Sequence, residues 1–147
     1  MQLSDQLARA FAAMGRLLND SDGSEVLSRP DFAVLIRLPR TRERGAEEGV
    51  RPRDLARTEG LDPSTMSRRL ASLTARGLIH RAPDPSDGRA QVLSLTEEGH
   101  RAVTQERARR VTLVTDALTG WDQEDSEELA RLLGRLTDTL EAGWPTT

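Results

Sequence analysis

The chain has 147 residues, 36% of them hydrophobic, which is enough for one domain with a real core, and no apolar run approaches the roughly 20 residues of a membrane helix. Zero cysteines exclude disulfides and a thiol switch, and no basic, apolar and small-residue leader opens the chain, so a soluble cytoplasmic protein is expected. The net charge of −3 is segregated: residues 37–110 hold 16 arginines against 11 acids and residues 111–147 hold 2 against 8, which steers a polyanion toward the middle of the chain.

Near the N-terminus Leu3, Leu7, Phe11, Met14 and Leu18 recur at helical spacing and form an apolar stripe. Ser28 and Pro30 occupy the cap and an early position of a helix over 31–38, with Phe32, Leu35 and Ile36 available for packing. Residues 39–49, PRTRERGAEEG, are polar and read as a loop. A short helix then starts at Pro52, where a missing N–H costs nothing, and closes at Gly60, which tolerates a left-handed backbone. Asp62 caps the next helix, Pro63 begins it, and it runs to about Arg76. Met66, Leu70 and Leu73 lie on its inner face, while Ser64, Thr65, Arg68, Arg69 and Ser72 project elsewhere. An outer face rich in hydroxyls and arginines suits a helix that reads a DNA groove, because arginine grips guanine edges bidentately and small hydroxyls reach bases or phosphates unobstructed. Arg51 and Arg53, at the start of the preceding helix, stand where that helix would cross the DNA backbone.

Beyond Gly77 the period changes to two: residues 78–81 and 91–95 bracket the turn-rich stretch 82–90 and predict a hairpin with a long tip. Asp87 and Arg89 lie on that tip, and an exposed arginine there can enter a narrow minor groove. Thr96 caps a long helix with Glu97 and Glu98 in its first turn; it uses Val103, Val111, Val114 and Leu118 and stops at Gly120. A second stripe of Leu129, Leu132, Leu133, Leu136 and Leu140 follows, and the chain closes with Trp144 in a short tail. His80 and His100 are the only histidines and have no neighbours at ligand spacing, so neither metal nor cofactor is expected. With no P-loop, dinucleotide fingerprint, or nucleophile beside an evident base, no enzyme is expected either.

The succession of an arginine-bearing helix, GLIHRAPDPSDGRA and LSLTEEGH resembles the MarR family of bacterial transcriptional regulators, matching its wing pattern at Asp87, Arg89, Leu95, Thr96 and Gly99. The resemblance implies a mostly α fold with a small β-hairpin wing, a winged helix-turn-helix with N- and C-terminal dimerisation helices. It divides the chain into an N-terminal dimerisation helix (1–27), a DNA-binding region (28–100) and C-terminal dimerisation helices (101–147). It further implies that Arg89 enters a minor groove, that Asp87 orients Arg89 or Arg81, and that the terminal helices interlock in a homodimer. A small aromatic effector is implied between those helices and the DNA reader. Phe11, Met14, Phe32 and Ile36 can line such a pocket, although their helical spacing fits plain core better. Gly88 stands where a second arginine is common in the family, so fewer phosphate contacts are expected from this tip. The expected function is sequence-specific regulation of transcription by a ligand-responsive repressor on a palindromic operator, nucleoid-associated when bound. A dimeric winged-helix adaptor that reads protein instead of double-stranded DNA is the rival reading.

Overall fold

The structure is a computed structural model and describes residues 2–19, 27–40 and 49–143. Part of the expected 39–49 loop, and Trp144, lie outside the described residues. In chain order the elements are α1 (Gln2–Asn19), α2 (Arg29–Leu35), α3 (Pro52–Thr58), α4 (Pro63–Ala75), β1 (Ile79–Asp84), β2 (Asp87–Leu95), α5 (Glu97–Ala117) and α6 (Gln123–Glu141). Among the described residues the fold is therefore mostly helical with one two-stranded antiparallel hairpin, as the sequence predicts. It divides into two compact units, Met1–Arg110 and Val111–Thr147. No helix among the described residues is long and apolar enough to cross a membrane.

The helix limits follow from local chemistry. Ser28 Oγ accepts the Asp31 N–H at 3.2 Å and starts α2, Asp62 Oδ1 accepts the Thr65 N–H at 2.9 Å and starts α4, and Thr96 Oγ1 accepts the Gly99 N–H at 3.0 Å and starts α5. Gly60, Gly77 and Gly120 end α3, α4 and α5 with φ of 62°, 71° and 93°, backbone that a side chain would strain. The α2 helix is shorter than the expected 31–38. It stops at Leu35, and Ile36 becomes an exposed C-cap rather than an inward residue.

The core of the first unit joins Phe32, Val34 and Leu35 of α2, Leu55 of α3, Met66, Leu70 and Leu73 of α4, Ile79, Leu93 and Leu95 of the hairpin, and Val103 of α5. Each fully buried Leu or Met contributes about 1.5–3 kcal/mol relative to exposure, so α4 is held chiefly by its three inward side chains. On α5 the inward positions are Gly99, Val103 and Glu106, spaced i, i+4, i+7. Glu106, only 3% exposed, is paired: Arg109 meets both its oxygens at 2.8 and 2.9 Å, and Arg110 Nε meets Oε1 at 2.7 Å. Burial alone pushes this carboxyl up, and the bonds from the two arginines outweigh it and hold it below its usual value. The Arg110 guanidinium also lies 3.9 Å from the Phe32 ring centroid. Val111, expected among the packing residues of this helix, is instead exposed.

The hairpin differs from its expected form. Its turn is only Pro85-Ser86, and the other residues of the expected tip extend the strands. Pairing runs in register from Ile79↔Leu95 to Pro83↔Gln91 and then jumps to Asp84↔Asp87, so Gly88, Arg89 and Ala90 form an irregular stretch of β2. Val50 exchanges both backbone bonds with Leu93, at 3.0 and 2.9 Å, and Leu95 N–H donates to the Pro39 carbonyl at 2.7 Å. One or two residues of pairing carry no alternating pattern, which is why this partial third strand is invisible in the sequence.

Candidate nucleic-acid interface

The candidate reading helix is α4. Asp62 accepts the Ser64 hydroxyl at 2.6 Å as well as the Thr65 amide, and these bonds, Ser64's first, hold its carboxyl well below the usual carboxylate range. It remains an anion and a firm cap at any working pH. Ser64, Arg68 and Ser72 are exposed as expected, and Thr65 is half-buried. Ser67 joins them on the exposed face; its i, i+3 spacing from Ser64 is the signal that could have found it.

Arg69 does not join them. At about 100° from Arg68 around the helix it reaches the flank of α2, where Nη1 meets Asp31 Oδ1 at 2.8 Å. Arg76 Nη1 meets the other oxygen of Asp31 at 2.9 Å. The two arginines thus brace α4 on α2, and the side chain expected to face outward is largely spent on that brace.

Arg53 extends into solvent from the first turn of α3, with Asp54 no nearer than 3.9 Å. Arg57, which the sequence reading passed over, is also exposed and pairs with Asp54 at 2.9 Å. Arg81 is half-buried, its Nε donating to Thr74 Oγ1 at 3.3 Å. Arg53, Arg57, Arg81 and Ser67 border one concavity of about 440 Å³ floored by Met66 and Leu70. Of its three arginines, Arg57 is paired with Asp54 and Arg81 is bonded to Thr74, which leaves Arg53 the most open to an anion.

On the hairpin Arg89 is exposed and its side chain has no ion-pair partner among the described residues. Asp87 Oδ1 accepts the Arg89 backbone N–H at 3.2 Å. Asp87 thus shapes the backbone of the tip, and no bond joins it to the guanidinium of Arg89 or Arg81, contrary to the orienting role expected of it. The acid that does grip an arginine is Asp84, which sequence reasoning missed: Arg51 Nε donates to Asp84 Oδ2 at 2.6 Å. Asp84 is 7% exposed, and the Ser86 hydroxyl and amide, with Arg51 after them, lower its carboxyl to about 2. Arg51, expected where the helix would cross the DNA backbone, is therefore engaged within the protein.

The four residues considered for a ligand pocket are not brought together as a lining. Phe11 and Met14 are exposed on α1, Ile36 is exposed, and Phe32 is in the core beneath Arg110. Among the described residues no group of three or more His, Asp or Glu could hold a metal ion.

Residues 42–90 match a family model described as MarR family. The curated protein YxaD of Bacillus subtilis, an uncharacterized HTH-type transcriptional regulator, is 35% identical over 87 residues, or 59% of this chain; the match spans 61% of that protein's length. Mb0904 of Mycobacterium bovis, described in the same terms, is 30% identical over 87% of this chain and 85% of its own. Among solved structures, the PcaV transcriptional regulator of Streptomyces coelicolor, in complex with its natural ligand, superposes with a TM-score of 0.60 at 30% identity and covers 91% of both chains.

Proposed function

Because this chain belongs to the MarR family, we propose that it is a sequence-specific DNA-binding regulator of transcription that acts as a homodimer on a near-palindromic operator. The observation that carries the reading is the capped α4 helix, which presents Ser64, Ser67, Arg68 and Ser72 outward, with Arg53 exposed on α3 and Arg89 exposed on the wing. In this reading α4 enters a major groove, Ser64, Thr65 and Arg68 meet base edges, Arg53 and Arg57 hold phosphates, and Arg89 enters the flanking minor groove. Arg81, set back beside Thr74, supports the wing and faces phosphate through the shared concavity.

Dimerisation is supported by the apolar residues left uncovered on α1 and α6: Leu3, Phe11 and Met14 on the one, Leu132, Leu133 and Leu140 on the other. In this reading the protein is a ligand-responsive repressor that a small aromatic effector releases from the operator; that a relative can hold a ligand is supported by PcaV, which is bound to its natural ligand. The effector site in this chain would need the dimer to gather Phe11, Met14 and Ile36, which stand exposed here. The protein would act in the cytoplasm, on the nucleoid when bound.

The test is selection of an operator from random duplexes by the purified protein, followed by affinity against salt. The expected result is two related half-sites about one helical turn apart and a steep fall of affinity with salt from counterion release. No enriched sequence, together with weak salt-insensitive binding, would favour the protein-binding adaptor.

A further inference from the structure

We propose that Arg51 and Asp84 form a strut that sets the angle of the wing, so that Arg51 acts on DNA through the wing's position and not as a phosphate contact. The proposal rests on the DNA-reading function proposed above and names a positioning pair within it.

Arg51 is the residue that precedes α3, and its side chain makes no capping bond to that helix. It turns instead toward the hairpin, 33 residues further along the chain, where Nε meets Asp84 Oδ2 at 2.6 Å and Nη2 meets Ser86 Oγ at 3.3 Å. The other Asp84 oxygen accepts the Ser86 amide at 2.8 Å and the Ser86 hydroxyl at 2.7 Å. One carboxylate therefore ties the turn of the wing both to itself and to the start of α3.

The node sits where the hairpin ladder is weakest. Partners jump from Gln91 to Asp87 between Pro83 and Asp84, so regular pairing stops at the strut's own anchor. A two-stranded ribbon is marginal by itself, and one with a broken ladder near its turn has little to fix the direction of its tip. The strut crosses that break from the α3 side. Beyond it lie Gly88, Arg89 and Ala90, for which, among the described residues, the one side-chain bond is that from the Arg89 amide to Asp87.

Charge points the same way. A guanidinium already neutralised by a buried carboxylate releases few counterions when DNA arrives, whereas Arg53, two residues on and 77% exposed, is free to do so. Asp84→Asn removes an anion from a DNA-facing element, so simple electrostatics predicts tighter binding; a strut predicts weaker binding.

The experiment compares Arg51→Ala, Asp84→Asn, the double variant and Arg51→Lys in the full chain, first without DNA. Heteronuclear NOEs of the Gly88, Arg89 and Ala90 amides, recorded well below each variant's thermal midpoint, should fall in both single variants and no further in the double. On the selected operator each single variant should lose about tenfold in affinity and the double no more than either, because both remove the same interaction. Arg51→Lys, which keeps an ion pair with Asp84, should recover part of the loss, and the salt slope of Arg51→Ala should match wild type. A slope shallower by about one in Arg51→Ala, with Asp84→Asn neutral or tighter, would make Arg51 a phosphate contact and overturn the proposal. Unchanged NOEs in all variants would overturn it independently of DNA. A wild type that binds no duplex would refute the DNA reading, and the NOEs would still decide whether the strut exists.

Discussion

Gly99 offers the sharpest test of how the reading head is assembled. It lies in the first turn of α5, where an added Cβ would overlap the Leu78 carbonyl oxygen and press on Leu95 Cδ2 at 3.2 Å. The obstacle is backbone, so no rotamer change relieves it. Moving α5 away also strains the Thr96 amide bond to that same carbonyl at 3.2 Å and the Gly99 amide bond to the Thr96 hydroxyl at 3.0 Å. Overpacking of this kind costs about 1–3 kcal/mol, and a weakened cap adds about 1. Alanine's better helix propensity returns about 1, leaving Gly99→Ala about 3 kcal/mol less stable at the upper end. For a chain of this size that lowers the thermal midpoint by roughly 6–12 °C, and urea unfolding should show a lower midpoint at an unchanged slope. Gly88→Ala is the control, since a Cβ there meets nothing within 4 Å, and it should stay within about 0.5 kcal/mol of wild type. If Gly99→Ala is as stable as Gly88→Ala, the close contact between α5 and the residue before β1 does not exist.

Arg68→Ala should cost about 1–3 kcal/mol on the operator and less on random DNA, whereas Arg53→Ala should weaken both alike and flatten the salt slope by about one; equal loss on both duplexes for Arg68→Ala would reduce Arg68 to a phosphate contact. Arg89→Ala should also weaken operator binding by about 1–3 kcal/mol with unchanged circular dichroism, and full affinity would remove the wing arginine from recognition. Leu133 is about half exposed in the single chain, so Leu133→Asp should leave the monomer folded but abolish the dimer in analytical ultracentrifugation, and an intact dimer would move the interface elsewhere. Acid titration should reveal Asp84: its carboxyl falls from 3.8 to about 2 on folding, so its contribution is complete above pH 4 and disappears as pH falls toward 2. Asp84→Asn should flatten that limb, and an unchanged acid-unfolding curve would contradict the bonded carboxylate.

What the sequence disclosed was local. Ser28, Asp62 and Thr96 cap helices within three residues of themselves, and Gly60, Gly77 and Gly120 end them, so the order and bounds of the elements could be read from short windows. Ile36 shows the limit of that method, because its apolar character fitted a longer helix that the chain ends at Leu35. The arginines were harder. Arg68 and Arg69 are adjacent and chemically identical, and only an acid 38 residues upstream separates an exposed side chain from a brace. Asp84 and Asp87 were similarly indistinguishable until the short turn brought Arg51 to the first and left the second to bond the tip backbone. Charge pairs across such separations leave no periodic trace, and neither does the one-residue pairing of Val50 with Leu93.

That small pairing has a consequence for how the protein behaves at concentration. An open strand is a template on which another chain can add, and a two-stranded hairpin has two of them. On the far edge of β2, Leu93 spends both backbone groups on Val50 and Leu95 spends its N–H on Pro39. On β1, Pro83 has no N–H to offer, and on β2 the ladder breaks before the tip. Neither edge presents an uninterrupted row of donors and acceptors to a second copy. The wing can therefore project from the body without seeding sheet-to-sheet aggregation.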